Sequence, residues 1–167
     1  MIRLDKAFYG LPAVEAAPLL LGKLLCRQTE SGMIKRRITE TECYCGEEDT
    51  ACHAHRGKTP RTAIMYKAGG FAYIYLCYGI HYLLNIVTGM EGHPEAVLIR
   101  GTEGAAGPGL VTKTLAIDKT LNGEDLCASN GLWLEDDGFK PEFTSSKRIG
   151  IAYAGLEDQN RLWRFTV

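Results

Sequence analysis

Between Pro12 and Cys26 the apolar residues Val14, Ala17, Leu20, Leu21, Leu24 and Leu25 recur at helical spacing, which predicts an amphipathic helix despite Pro18. The period then changes. Two extended runs, Leu24–Thr29 and Met33–Thr41, flank Glu30-Ser31-Gly32 and predict a β-hairpin. Gly46–Thr62 is polar, with Gly, Pro and His, and predicts an irregular surface loop. Phe71–Cys77 and Ile80–Thr88 are rich in tyrosine and branched residues and predict a second hairpin that reverses at Gly79. Glu95–Arg100 adds a short strand. Leu110–Ile117 reads as a short helix after the break at Gly107-Pro108-Gly109. Leu132–Glu135, Arg148–Tyr153 and Leu162–Val167 read as three closing strands. No internal repeat, low-complexity tract or long linker interrupts this order. The pattern predicts a single domain over 1–167 of the α+β class, with a curved, mainly antiparallel β-sheet and peripheral helices.

Composition acts mainly by exclusion. With 46% hydrophobic and 23% charged residues in 167 positions, the chain is not disordered, collagen-like or a coiled coil. No apolar run has the length of a membrane span, and the opening Met1-Ile2-Arg3-Leu4-Asp5-Lys6 carries no h-region. A cytoplasmic protein with no membrane partner is the expectation. Six cysteines are too sparse for a disulfide scaffold and are expected to be reduced thiols. Nineteen basic against 20 acidic residues give a net charge of −1, so bulk charge does not announce a nucleic-acid binder. The distribution says more: Arg56, Lys58, Arg61 and Lys67 lie in a stretch free of acids, preceded by Lys35-Arg36-Arg37. Such runs form either one basic face or merely a solvated surface. No apolar surface stripe is evident, which favours a monomer.

The segment Ile38-Thr39-Glu40-Thr41-Glu42-Cys43-Tyr44 places two glutamates in a strand context, where glutamate is a poor former. Strand alternation would put Ile38, Glu40, Glu42 and Tyr44 on one face. One reading is an edge strand whose carboxylates are solvated and paired with Lys35 or Arg37. The other is a carboxylate in a partly apolar pocket, where burial raises its pKa and lets it take a proton from water. A pair of carboxylates also suits glycoside hydrolysis. Cys43, Cys45, Cys52, His53 and His55 offer a tetrahedral zinc site as an alternative, although C-x-C followed by C-H-x-H departs from structural zinc spacing. Small core cysteines and a satisfied histidine explain the same residues.

Four of the eight tyrosines fall between Tyr73 and Tyr82. Alternation puts Tyr73, Tyr75 and Cys77 on one face, while Tyr78 stands beside the turn glycine at the hairpin tip. These are either ordinary cross-strand aromatics or a division of labour, with a stacking platform on the face and a wedge at the tip. Proteins that draw a base out of a duplex need both.

Taken in order, Ile38–Asp49, Cys52-His53-Ala54, Gly57-Lys58-Thr59-Pro60-Arg61-Thr62, Tyr73–His81, Asn85–Thr88 and Ala96–Arg100 closely resemble the alkyladenine (3-methyladenine) DNA glycosylase family. Weaker similarity continues at Gly107–Leu110, Asn122–Leu126, Arg148–Ile151 and Trp163–Phe165. The resemblance implies a monofunctional base-excision enzyme that flips a damaged purine out of double-stranded DNA and hydrolyses its N-glycosidic bond. No metal or other cofactor and no lyase step are implied. Matching positions imply that Glu42 is the general base and that Arg100 helps hold the attacking water, with a backbone carbonyl of Arg148–Ile151 as a further partner. Tyr44, His53 and Tyr75 would contact the flipped base, Asn85 would exclude guanine, and Tyr78 would be the wedge. Arg56, Lys58 and Arg61 would meet phosphates. The chain departs from the family in the short Gly101–Ala106 connection, with Gly101 and Gly104 where Ala and Pro are usual, and in the Cys43/Cys45 pair. A non-catalytic damage-binding module and a zinc hydrolase or deaminase are the competing readings.

Overall fold

The computed structural model describes residues Met1–Val167. In chain order the elements are β1 (Ile2–Arg3), α1 (Lys6–Tyr9), α2 (Ala13–Leu20), β2 (Leu24–Thr29), β3 (Gly32–Cys45), β4 (Ala72–Cys77), β5 (His81–Thr88), β6 (Glu95–Thr102), β7 (Ala105–Ala106), α3 (Pro108–Thr114), β8 (Leu132–Asp136), β9 (Thr144–Ser146), α4 (Leu156–Asn160) and β10 (Arg164–Thr166). Single 3₁₀ turns at His53–Arg56, Ala63–Tyr66 and Lys119–Leu121 punctuate the loops. The strands form one ten-stranded sheet in the order β1-β8-β2-β3-β6-β5-β4, with β7 on β6 and β10 bridging β3 and β9. Every pair is antiparallel. The α+β class with a mainly antiparallel sheet is therefore the architecture of the chain. No helix is long and apolar enough to cross a membrane.

The main core joins α2, α3 and the sheet in a cluster of 25 buried residues, among them Tyr9, Leu20, Ile38, Cys43, Ile86, Ile99 and Leu115. Thr41 Oγ1 donates to the Ala17 carbonyl at 2.9 Å and ties β3 to α2. A second cluster of Cys52, Ala54, Met65, Tyr73, Val87 and Ala96 seats the loop before β4 against the sheet. The main core thus covers one face of the sheet, and the second cluster borders the site on the other.

Several sequence expectations change. The stripe from Pro12 to Cys26 is a helix only to Leu20, with Pro18 in its last turns, and Leu24–Cys26 belong to β2. Pro18 lies past the first turn and has no N–H to give the Val14 carbonyl, and the helix stops soon after it, with Leu21 as its cap. Strand β3 is not an edge: β2 and β6 flank it. Lys35 and Arg37 pair instead with Glu135 at 2.5 Å and Asp137 at 2.8 Å, reaching across β2 to β8 and the residue after it. Ile38 does not share the face of Glu40 and Glu42. It joins the core with Cys43, and the β3–β6 pairing is irregular between Ile38 and Thr41. Arg148–Tyr153 is not a strand but turns and extended chain, with Gly150 at φ 76°. Strands β1, β7 and β9 and helix α4 are too short to leave a periodic signal. The Gly101–Ala106 connection is a tight hairpin, in which Thr102 pairs Ala105 and Gly104 supplies φ 78°.

Candidate active site

Sheet register assembles the site. Tyr73 on β4, Asn85 on β5, Leu98 on β6, Glu42 on β3 and Arg164 on β10 stand opposite one another in successive pairs. Directly opposed residues of antiparallel strands project from one face. Two positions along β3, Tyr44 opposes Ala96 on that same face.

The Glu42 side chain has no exposed surface. Its Oε1 accepts the Ile149 amide at 2.8 Å and its Oε2 accepts the Tyr44 hydroxyl at 2.8 Å. Arg100 Nε lies 3.6 Å from Oε1. Burial pushes the carboxyl above the ordinary glutamate range, while Arg100, the Ile149 amide and the Tyr44 hydroxyl pull the other way. Burial and the neighbouring carboxylate push the Tyr44 phenol far up, so it remains a donor. The segment from Arg148 to Ile151 thus meets Glu42 through an N–H, whereas the family resemblance implied a carbonyl holding water.

Arg148 anchors that segment. It is buried and grips Asp49 with two bonds, Nη1 to Oδ2 at 2.6 Å and Nη2 to Oδ1 at 2.9 Å. Nη1 also donates to the Cys43 carbonyl at 3.0 Å. Its guanidinium lies 4.8 Å from the Tyr44 ring centre and 5.0 Å from that of Trp163. Arg148 therefore fixes Tyr44 from one side and hands the Ile149 amide to Glu42 on the other.

Beside this centre a small inner recess of about 40 Å³ is lined by Tyr44, Ala51, Cys52, His53, Met65, Tyr73, Tyr75, Asn85, Ala96 and Tyr153. It opens into a wider cleft of about 920 Å³ bordered by Arg61, Leu76–Tyr78, Arg100, Gly107–Leu110, Lys113 and Ile149–Ile151. His53 Nδ1 is 2.9 Å from the Tyr73 hydroxyl, and its ring meets that of Tyr75 edge to face at 4.5 Å. Burial and Arg61 lower the His53 pKa to about 4, so its ring is neutral near pH 7. Asn85 Nδ2 donates to the Tyr73 carbonyl at 3.2 Å and is held at the floor. Arg61 lies 5.2 Å over the Tyr75 ring, at the mouth of the recess rather than on a remote loop. Lys58 covers Tyr66 at 5.5 Å, and Arg56 is exposed at the end of its 3₁₀ turn. Tyr78 is 91% exposed with φ 50°, flanked by exposed Leu76 and Ile80. For tyrosine that left-handed conformation costs about 1–2 kcal/mol.

A sequence model of the methylpurine-DNA glycosylase (MPG) family matches residues 7–106 and 101–167. A Methanocella arvoryzae protein, named as an inferred 3-methyladenine DNA glycosylase, is 42% identical over 97% of this chain and 90% of its own length. Proteins of the same name from Borreliella burgdorferi strain ZS7 and Natranaerobius thermophilus are 44% and 40% identical, covering 98% and 99% of this chain and 95% and 96% of themselves. The chain belongs to the methylpurine-DNA glycosylase family. It is therefore a DNA-repair glycosylase by descent, and its two-part match to the family meets at the Thr102–Ala105 hairpin.

Within this glycosylase fold the residues singled out by sequence fall into two groups. Glu42, Tyr44 and Arg100 meet at one centre, and Tyr44, His53, Tyr75 and Asn85 line the recess. Tyr78 stands apart at the hairpin tip. The zinc constellation is not gathered: Cys43 is in the core, and no group of three or more His, Cys, Asp or Glu residues converges as ligands. Sequence pattern does not mark Tyr153, Met65, or the Asp49–Arg148 pair. Tyr73 shares the strand parity of Tyr75, which is the signal that finds it.

Proposed function

We propose that this glycosylase flips alkylated or deaminated purine nucleotides out of duplex DNA and hydrolyses their N-glycosidic bonds without a lyase step. The observation that carries the reading is Glu42, a buried carboxylate at the junction of Arg100, Tyr44 and an aromatic recess. As the strained Tyr78 enters the base stack, the lesion base turns into the recess against Tyr44, His53 and Tyr75. The stacking there offsets the few kcal/mol lost on unpairing. Asn85, fixed at the floor, opposes the 2-amino group of normal guanine.

Because Glu42 has no surface open to solvent in the free protein, the attacking water is admitted when the Ile149 segment or Arg100 shifts on DNA binding. Glu42 takes one proton of that water as its oxygen bonds to the anomeric carbon. The glycosidic electron pair leaves with the purine, which departs neutral when alkylation has made it cationic. A neutral lesion such as hypoxanthine departs neutral only after a ring nitrogen takes a proton from solvent. The carboxylate also stabilises the positive charge that develops on the sugar. Arg61, Lys58, Arg56 and Lys113 supply charge for phosphates around the cleft.

The test is a panel of duplexes carrying 3-methyladenine, 7-methylguanine or hypoxanthine, incubated with the protein in the presence of a chelator. Release of free base, with an abasic strand left uncut, is the expected result. Tight binding with no release of any lesion refutes the reading in favour of a damage-binding module, and release blocked by the chelator points to metal chemistry.

A further inference from the structure

Glu40 is a second carboxylate at the centre, and the chemistry above does not use it. Its Oε1 accepts the Nε–H of Arg100 at 3.0 Å and the Nε–H of Arg164 at 2.5 Å. With Arg100 Nε 3.6 Å from Glu42 Oε1, charge alternates along Arg164, Glu40, Arg100 and Glu42. Arg164 is also braced by Ser146 Oγ at 3.2 Å, its cross-strand neighbour on β9. The two short C-terminal strands therefore back the site from behind.

The backbone is shaped around this arrangement. Glu40 pairs with Gly101 at the irregular step between β3 and β6. A Cβ on Gly101 would stand 3.0 Å from Glu40 Cβ and 3.4 Å from its Oε2, so the glycine leaves room for the carboxylate. The Glu40 and Arg100 side chains are each only 13% exposed, which distinguishes them from a screened surface pair. Arg100 uses Nε on the carboxylates, makes no hydrogen bond to protein through Nη1 or Nη2, and borders the outer cleft.

We propose that Glu40 is the positioning residue for Arg100: it holds the guanidinium by its Nε edge, turns both terminal nitrogens to the cleft, and offsets the positive charge beside Glu42. This rests on the glycosylase reading and deepens it. A guanidinium held through its Nε–H in a largely buried setting is preorganised, so it loses less freedom when its terminal donors engage water or substrate.

Opposite changes at the two ends of the ladder have opposite consequences. Glu40→Gln keeps size and an acceptor but removes a negative charge near Glu42, so Glu42 ionises at lower pH. Arg164→Gln removes a cation that competes for Glu40, so Glu42 ionises at higher pH. Glutamine keeps the Oε1 acceptor, so Arg100 stays beside Glu42 on a weaker, less directional hold, and the other groups facing Glu42 are unaltered: Tyr44 on its own strand, and Arg148, the Ile149 amide and Tyr153 from the segment after β9.

Single-turnover release of 7-methylguanine from duplex DNA, followed across the acid and neutral range, reads these shifts. That base leaves from an already cationic nucleoside, so the acid limb reports Glu42. For Glu40→Gln the limb moves down by about half to one pH unit. Its plateau rate falls about tenfold with DNA affinity little changed, because a loosened Arg100 costs orientation more than binding. For Arg164→Gln the limb moves up. Glu40→Asp, which keeps the charge, holds the wild-type limb and recovers part of the rate. Unmoved limbs, or shifts of one sign in both glutamine variants, overturn the proposal. Thermal melts identify any variant that fails to fold, and the remaining glutamine variant then decides. A wild-type protein that releases no damaged purine overturns the glycosylase reading and this inference together, whereas an active wild type with unshifted variants overturns only the inference.

Discussion

Replacing Tyr44 by Phe removes one hydroxyl and leaves the ring that lines the recess. That hydroxyl is the only hydrogen-bond partner of Glu42 Oε2, at 2.8 Å, in a side chain with no exposed surface. A hydrogen bond to a charged group contributes about 1.5–3 kcal/mol. Its loss raises the Glu42 carboxyl, and at about 1.4 kcal/mol per pH unit the acid limb that reads it is expected to move by about one to two pH units. The sign follows from the donor: it favours the ionised form, so deletion favours the protonated one. The acid limb of 7-methylguanine release therefore moves to higher pH in Tyr44→Phe, and the rate recovers as pH rises. Affinity for lesion DNA stays within about twofold of wild type, because the stacking face is intact. The assay is single-turnover excision at a series of pH values, with a fluorescence-anisotropy measurement of binding alongside. A limb unmoved by more than about 0.3 unit, in a folded variant that still binds, refutes the coupling of Tyr44 to Glu42.

Two further outcomes follow from the same contacts. Asp49→Asn leaves the buried Arg148 cation without its carboxylate, and urea denaturation should show a loss of about 3–5 kcal/mol. A loss below about 1 kcal/mol would mean that the pair does not anchor the Ile149 segment. Tyr78→Gly relieves about 1–2 kcal/mol of left-handed strain and costs about 0.5–1 kcal/mol in chain entropy, so stability changes little. Excision from duplex DNA should nevertheless drop about tenfold or more, since nothing then fills the vacated stack. Unchanged excision would remove Tyr78 from the flipping step.

Local physics made much of this molecule legible in its sequence. The β2–β3 hairpin followed from extended runs around Glu30-Ser31-Gly32, and the β4–β5 hairpin from tyrosine and branched residues around Tyr78-Gly79. Strand parity correctly set Glu42 with Tyr44 and Tyr73 with Tyr75. What parity cannot supply is anything that depends on an irregular register, and the step between Ile38 and Thr41 removed Ile38 from the site face. Apolar alternation at Ile149, Ile151 and Tyr153 imitates a strand. The Asp49–Arg148 bond spans 99 positions and holds that segment in turns over Glu42 instead. Such long-range pairings leave no local signal. Arg61 shows the same limit: its sequence neighbours suggested a solvated basic loop, yet the fold lays it over Tyr75.

The central claim is that Glu42 activates the water that attacks the sugar. Glu42→Gln replaces a buried charge by a neutral isostere, and because burial has raised this carboxyl, the substitution relieves rather than adds a folding cost at neutral pH. Single-turnover release of 7-methylguanine by this variant, measured beside its affinity for the same duplex, tests the claim most directly. The account predicts release slowed by about a thousandfold or more with affinity nearly unchanged. Release at close to the wild-type rate would contradict it.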